Sequence, residues 1–131
     1  MFGRRVAGDW ENEMAQRILV AEDEMIVAFD LCDTVAEAGF EVEGPHAGIS
    51  SAMLAFQKEK PALAILDISL SDGAVYPLAQ KLADENVPII FHSGRHTPEE
   101  VRNHFPQAET LTKPCPPARV LDAVNNAIGP A

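Results

Sequence analysis

The sequence predicts an α/β fold, a doubly wound five-stranded parallel sheet with helices packed on both faces. Short apolar runs alternate along the chain with segments in which apolar residues recur at helical spacing. The clearest run is Ala-Leu-Ala-Ile-Leu at 62–66, and consecutive apolar residues are typical of a strand buried on both faces. Because parallel neighbours need crossover connections, which are commonly helices, this alternation favours a parallel sheet.

Five strands and five helices are expected in alternation. The strands are predicted at 17–21, 40–44, 62–66, 87–91 and 110–113. The apolar stripe of the first helix is formed by Ala28, Leu31, Cys32 and Val35. Gly39 is expected to end that helix, and the last helix has a similar stripe between Pro117 and Ile128.

Local signals predict where the middle elements begin. Ser50 or Ser51 is expected to cap the second helix, because a serine hydroxyl accepts hydrogen bonds from the first backbone N–H groups. A loop is expected at 68–73. Thr97 followed by Pro98 indicates the start of a short fourth helix, with threonine as N-cap and proline at the first position.

Length and charge exclude several classes of protein. The 131 residues suffice for one domain with a real core. Twenty acidic residues against ten basic ones give a formal charge of −10, and no basic run exists to neutralise a phosphate backbone, so direct nucleic-acid binding is not expected. No apolar stretch is long enough for a bilayer span or a secretion signal. We therefore expect no membrane contact and a cytoplasmic location.

The chain is expected to divide into a flexible N-terminal arm and one domain. Residues 1–16 show no sustained apolar period, so we interpret them as a flexible arm, with a short docking helix as the alternative, and 17–131 as the domain. Cys32 and Cys115 lack metal-ligand spacing and are expected to be reduced.

Polar residues follow four of the predicted strands at the point where each strand ends. Glu22 and Asp23 follow the first strand, Asp67 the third, Ser93 the fourth and Lys113 the fifth. The carboxyl ends of parallel strands lie at one edge of a sheet, which is where such folds bind ligands. We therefore expect these five side chains to converge.

This constellation resembles the response-regulator receiver family, over roughly residues 17–128. The family places an acidic pair after the first strand, an acceptor Asp after the third, Ser or Thr after the fourth and Lys-Pro after the fifth. Here these are Glu22-Asp23, Asp67, Ser93 and Lys113-Pro114. The resemblance implies the CheY-like, flavodoxin-like (βα)5 fold with strand order 2-1-3-4-5.

The resemblance also implies a chemistry. Asp67 accepts a phosphoryl group from a sensor histidine kinase, while Ser93 and Lys113 stabilise the phosphoryl oxygens. A Mg²⁺ or Mn²⁺ ion is held by Glu22, Asp23, Asp67 and the backbone carbonyl of Ser69, since such ions prefer oxygen ligands. The peptide before Pro114 is implied to be cis.

The chain departs from the family at several positions. Thr110 stands where receivers usually carry an aromatic switch residue, and Phe91-His-Ser-Gly94 partly resembles a subgroup with a Phe-Ala-Thr-Gly-type motif that also lacks it. His92 and His96 flank Ser93; we expect His92 to pack on the sheet and His96 to be solvated. Two further residues, Ser69 and Arg95, are implied to flank the phosphoryl group.

Each site residue also has a simpler interpretation. Glu22 and Asp23, with Glu24, could serve only as first-turn acids of a helix, Ser93 as a turn residue, and Lys113 as a solvated lysine. Their joint occurrence at strand ends favours the receiver interpretation.

The expected function is a single-domain response regulator that switches protein–protein interactions in two-component signalling. It would catalyse only its own phosphorylation and dephosphorylation. The implied partners are a histidine kinase and an unknown downstream protein, with the chain a monomer or a phosphorylation-dependent homodimer. The alternatives are a phosphate sink or phosphorelay shuttle and, less expected, a pseudo-receiver that is never phosphorylated.

Overall fold

The computed structural model of the chain describes residues 15–94 and 99–130. Within these ranges five parallel strands form one sheet. The strands are β1 (Arg17–Ala21), β2 (Glu41–His46), β3 (Leu63–Leu66), β4 (Ile89–Ser93) and β5 (Glu109–Thr112). The helices are α1 (Met25–Glu37), α2 (Ile49–Lys58), α3 (Tyr76–Asp84), α4 (Glu99–His104) and α5 (Pro117–Ile128). The sheet order is β2-β1-β3-β4-β5, so the predicted fold class and strand order are confirmed.

The three central strands, β1, β3 and β4, are buried on both faces, as the continuous apolar run of the third strand predicted. All four residues of β3 are fully buried. Side chains alternate across the sheet, so Val20, Ile65 and Ile90 pack with α1 and α5 on one face. Leu66 and Phe91 pack with α2, α3 and α4 on the other. The core therefore has two layers separated by the sheet.

The helices bury the faces that their apolar spacing predicted. The buried residues of α1 are Ala28, Leu31, Cys32 and Val35, as predicted. Gly39 follows this helix with φ of +103°, a left-handed conformation that glycine adopts without a Cβ clash. In α5 the buried residues are Val120, Ala123 and Val124.

The predicted serine caps of the second helix are wrong. Ser50 and Ser51 both lie inside α2, and Gly48 occupies the N-cap position. The carboxylate of Asp72 accepts hydrogen bonds from the backbone N–H of Ile49 at 2.6 Å and of Ser50 at 3.1 Å. These contacts lower the pKa of Asp72. The cap thus comes from a residue more than twenty positions away, which local sequence signals could not indicate.

The loop predicted at 68–73 contains a small hairpin outside the main sheet. Ser69–Leu70 pairs in antiparallel fashion with Gly73–Ala74. Asp72 lies at the hairpin's tip, and the backbone N–H of Ser71 donates to the carbonyl of Ala47 at 3.0 Å. The hairpin is therefore anchored to the start of α2.

Three strands begin one or two residues later than predicted, and β3 begins at Leu63 rather than at 62. The backbone N–H of Phe40 donates to the carbonyl of Val35 at 3.2 Å, in the turn that follows α1, and β2 runs from Glu41 to His46. Pro88, which lacks an N–H, precedes β4, and that strand continues through Ser93.

Some predictions fall on residues that the structure does not describe. The described ranges leave out fourteen of the sixteen residues of the expected arm. They also leave out Arg95, His96 and the Thr97-Pro98 helix start. Within those ranges no helix is both long and apolar enough to cross a bilayer.

Asp72→Ala should lower the melting temperature by a few degrees, because it leaves two N–H groups of α2 without their cap. The folded-state pKa of Asp72 is lowered, so its stabilisation is complete above the ordinary Asp range and lost as pH falls through the lowered value. The difference from wild type should therefore shrink on acidification in thermal melts. Asp122→Ala, an exposed change of equal charge on α5, is the control. An equal loss in both variants would contradict the assignment of the cap.

Candidate functional site at the carboxyl edge of the sheet

Four of the predicted site residues lie together at the carboxyl ends of β1, β3, β4 and β5. Glu22 follows β1, Asp67 follows β3, Ser93 ends β4 and Lys113 follows β5. Backbone hydrogen bonds extend past the strand ends: Glu22 N–H donates to His46 at 2.8 Å, Asp67 N–H to Ala21 at 2.9 Å and Lys113 N–H to Ser93 at 2.7 Å. These hydrogen bonds fix the backbone of the site residues, so the Cα positions from which their side chains extend are defined.

The ammonium group of Lys113 lies between three carboxylates. Its Nζ is 2.7 Å from Glu22 Oε1, 2.9 Å from Glu24 Oε1 and 3.1 Å from Asp67 Oδ2. Partial burial opposes the charge of this lysine, but the hydrogen bonds to the three carboxylates dominate and raise its pKa above the usual value. Lys113 is therefore a charged residue of the site rather than the solvated lysine of the simpler interpretation.

Glu22 is a buried carboxylate that stays ionised. Its side chain is 1% exposed, and burial alone would raise its pKa. The His92 imidazole, the Lys113 ammonium and the backbone N–H of Glu24, 3.1 Å from Oε2, together lower that pKa to about 2. Glu22 therefore carries its negative charge throughout the neutral range.

Asp67 is shifted in the opposite direction. Burial and the adjacent negative charge of Glu22 raise its pKa, while Lys113 and the backbone N–H of Ser69, 3.2 Å from Oδ1, oppose the rise. Two neighbouring carboxylates thus have pKa values that move apart, which is typical of functional sites.

Three carboxylates could hold one cation. One carboxylate oxygen from each of Glu22, Glu24 and Asp67 lies within 4.8 Å of the other two. Among the described residues, this is the group of acidic side chains close enough to share a metal ion. Carboxylate oxygens are the ligands that Mg²⁺ and Mn²⁺ prefer, so this donor set fits such an ion. Asp23 lies outside the group, and its predicted ligand role stays a prediction.

Glu24 is a site residue that sequence reasoning missed. Its position in the sequence predicts only a first-turn acid, but it occupies the N-cap position of α1 without a side-chain cap hydrogen bond and bonds Lys113 instead. The acidic run Glu22-Asp23-Glu24 was the available signal. In this run the first and third residues, not the second, contact the lysine.

The remaining predicted residues surround this centre. Ser93 is 8% exposed at the end of β4 and accepts the Lys113 N–H at its carbonyl. Ser69 is exposed at the start of the hairpin, with its N–H directed to Asp67. The Lys113-Pro114 peptide is cis, as the resemblance implies. Thr110 lies within β5 opposite Phe91.

His92 packs on the sheet, as expected. It is 4% exposed, and its Nδ1 lies 3.7 Å from Glu22 Oε1. It also lines an open cleft of about 590 Å³, with Glu24 and Lys113 among the other lining residues. His92 is therefore both a core residue and a neighbour of the site.

Comparisons with known proteins agree with this geometry. No protein-family model matches the chain. The chain is 32% identical to the phyllosphere-induced regulator PhyR of Methylorubrum extorquens over 96% of its length, and 27% identical to the transcriptional regulatory protein PdtaR of Mycobacterium tuberculosis over 92%. It spans 47% of PhyR and 60% of PdtaR, so these relatives are considerably longer.

A solved structure matches this chain over most of its own length. The response regulator receiver protein of Sinorhizobium medicae is 27% identical, superposes with a TM-score of 0.79, and is matched over 94% of its length and 87% of this chain. The Phe-Ala-Thr-Gly-type subgroup stays a prediction. The chain therefore has the receiver fold of response regulators, and the resemblance to that family predicted from its sequence is confirmed.

Proposed function

We propose that this chain is a response-regulator receiver in which Asp67 accepts a phosphoryl group from a histidine kinase. The observation that carries the proposal is the contact of the Lys113 ammonium with Asp67 Oδ2 at 3.1 Å, inside a group of carboxylates at the carboxyl edge of the sheet. Phosphoryl transfer to aspartate requires an acceptor carboxylate, a fixed ammonium group and a hydroxyl, and here the hydroxyl residue lies at the next strand end.

The charges around Asp67 favour a metal-dependent reaction. Three carboxylates face one ammonium group, which leaves an excess of two negative charges where an anionic phosphoryl group must enter. A divalent cation would balance this excess. We propose that Mg²⁺ or Mn²⁺ is held by Glu22, Asp67 and either Glu24 or Asp23, with the Ser69 carbonyl as a further ligand. The ion supplies charge neutralisation at the transferring phosphoryl group.

The transfer itself is a displacement at phosphorus. An oxygen of ionised Asp67 forms the new O–P bond as the P–N bond of the donor phosphohistidine breaks, and the donor imidazole leaves with its electron pair. Lys113 is already within hydrogen-bond distance of Asp67, so its ammonium group can donate a hydrogen bond to an oxygen of the phosphoryl group once Asp67 carries it. Ser93, at the adjacent strand end, would donate its hydroxyl to a second phosphoryl oxygen.

The proposed consequence of phosphorylation is a change in protein–protein contacts, within two-component signalling in the cytoplasm. Because Thr110 replaces the usual aromatic residue, the signal is proposed to pass from Ser93 through 94–104. The surface that changes would include α4, β5 and α5. The chain catalyses only its own phosphorylation and dephosphorylation in this proposal, and its downstream target is a protein rather than nucleic acid.

Incubation with acetyl phosphate and magnesium should add one phosphoryl group to the wild-type protein, measured by intact mass. Asp67→Asn should add none, because the amide is not a nucleophile toward phosphorus. Asp122→Asn should be phosphorylated like wild type. No mass gain in the wild type with any donor would overturn the proposal and favour the pseudo-receiver.

Lys113→Met should slow phosphorylation by acetyl phosphate by about 100-fold or more, because the phosphoryl oxygens lose their fixed positive partner. The rate is measured by the same mass assay over time. Lys81→Met, which removes an exposed lysine on α3, is the matched control. A rate unchanged in Lys113→Met would remove this lysine from the reaction.

Phosphorylated protein should lose its label slowly. The exposed Ser69 side chain is too short to hold a water molecule against the phosphoryl group as a longer amide or acid could. Ser69→Glu should therefore hydrolyse faster than wild type in a label-release assay. Loss of label from the wild type within seconds would contradict this prediction.

A further inference from the structure

The buried imidazole of His92 has no assigned role in the phosphoryl transfer described above. Only 4% of the residue is exposed, and neither ring nitrogen has a hydrogen-bond partner in the described structure. Burying a polar ring without hydrogen bonds is unfavourable, and apolar residues would fill the same space at the end of a strand without that cost. The position of this ring therefore calls for a function.

The sheet register places His92 in one row with two site carboxylates. Ala21 pairs with Leu66, and Leu66 pairs with Phe91. The next residues along these three strands are Glu22, Asp67 and His92.

The three residues of this row also share one face of the sheet. Two positions earlier on the same strands, Val20, Ile65 and Ile90 all pack on the face that α1 and α5 cover. Because side chains alternate along a strand, the row points to that same face. The geometry thus directs the imidazole toward the carboxylates rather than toward the opposite core layer.

The nearest carboxylate contact of the ring is with Glu22. His92 Nδ1 lies 3.7 Å from Glu22 Oε1, a few tenths of an ångström beyond hydrogen-bond length. That same oxygen is 2.7 Å from Lys113 Nζ, while Oε2 accepts the backbone N–H of Glu24 at 3.1 Å. His92 and Lys113 therefore share one carboxylate oxygen.

We propose that His92 is a positioning residue that donates its Nδ1–H to Glu22 and holds this carboxylate at the cation site. This inference rests on the proposed function, because it concerns the cation of that same site. When a cation displaces Lys113 from Glu22, or a phosphoryl group draws the lysine away, Oε1 loses its closest partner. The Nδ1–H of the imidazole can then replace the ammonium as the donor to that oxygen.

Cation affinity of the unphosphorylated full chain tests this inference. Mn²⁺ binding is measured by electron paramagnetic resonance for wild type, His92→Leu and His92→Asn, with His104→Leu on α4 as the control. The Asn side chain carries an N–H as far from Cβ as Nδ1 is in histidine, whereas Leu fills the space without a donor. The dissociation constant should rise about tenfold in His92→Leu and stay within about threefold of wild type in His92→Asn and His104→Leu.

The outcomes separate this inference from the proposed function. Wild-type affinity in His92→Leu, or equal losses in His92→Leu and His92→Asn, would overturn the positioning role while leaving the metal-dependent reaction intact. Absence of Mn²⁺ binding in the wild type would overturn both. A second measurement needs no variant: the ring nitrogen spectrum of ¹⁵N-labelled wild type should show His92 protonated at Nδ1, and a ring protonated only at Nε2 would overturn the inference.

Discussion

The contact of one ammonium group with three carboxylates organises the carboxyl edge of this sheet. Lys113, after the last strand, bonds Glu22 after the first, Asp67 after the third and Glu24 at the start of α1. In sequence, Lys113 is 46 residues from Asp67 and 89 residues from Glu24. These bonds therefore join parts of the chain that only the complete sheet brings together. Without Lys113, three negative charges would face one another in a partly buried space.

The arrangement assigns different tasks to neighbouring acids. Glu22 is surrounded by donors and remains ionised, while burial and the charge of Glu22 raise the pKa of Asp67. A carboxylate that is partly destabilised as an anion, yet contacts a lysine, suits an acceptor that must form a bond to phosphorus. The neighbour that stays charged suits a cation ligand. His92 extends this logic, since its Nδ1 lies 3.7 Å from the Glu22 oxygen that Lys113 also contacts.

Much of the fold could be predicted because its causes are local. The buried stripe of α1 follows from helical spacing, and the four buried residues of β3 follow from one continuous apolar run. The cap of α2 could not be predicted in this way. Serine hydroxyls at positions 50 and 51 were suitable in type, but the Asp72 carboxylate, from a hairpin, accepts the N–H groups of Ile49 and Ser50, so the helix begins before either serine could cap it. A charged acceptor is also the stronger partner.

The sequence by itself determined which residues stand at the strand ends, because apolar runs define the strands and their ends are where the polar residues begin. It also determined that Asp67 follows a fully buried strand, where a carboxylate needs a partner. Tertiary structure decided which side chains meet. Glu24 rather than Asp23 contacts Lys113, and His92 rather than a distant residue lies beside Glu22. The direction of a side chain just beyond a strand depends on the register with neighbouring strands and on the path of the following loop. Neither can be predicted from the residues close to it in sequence.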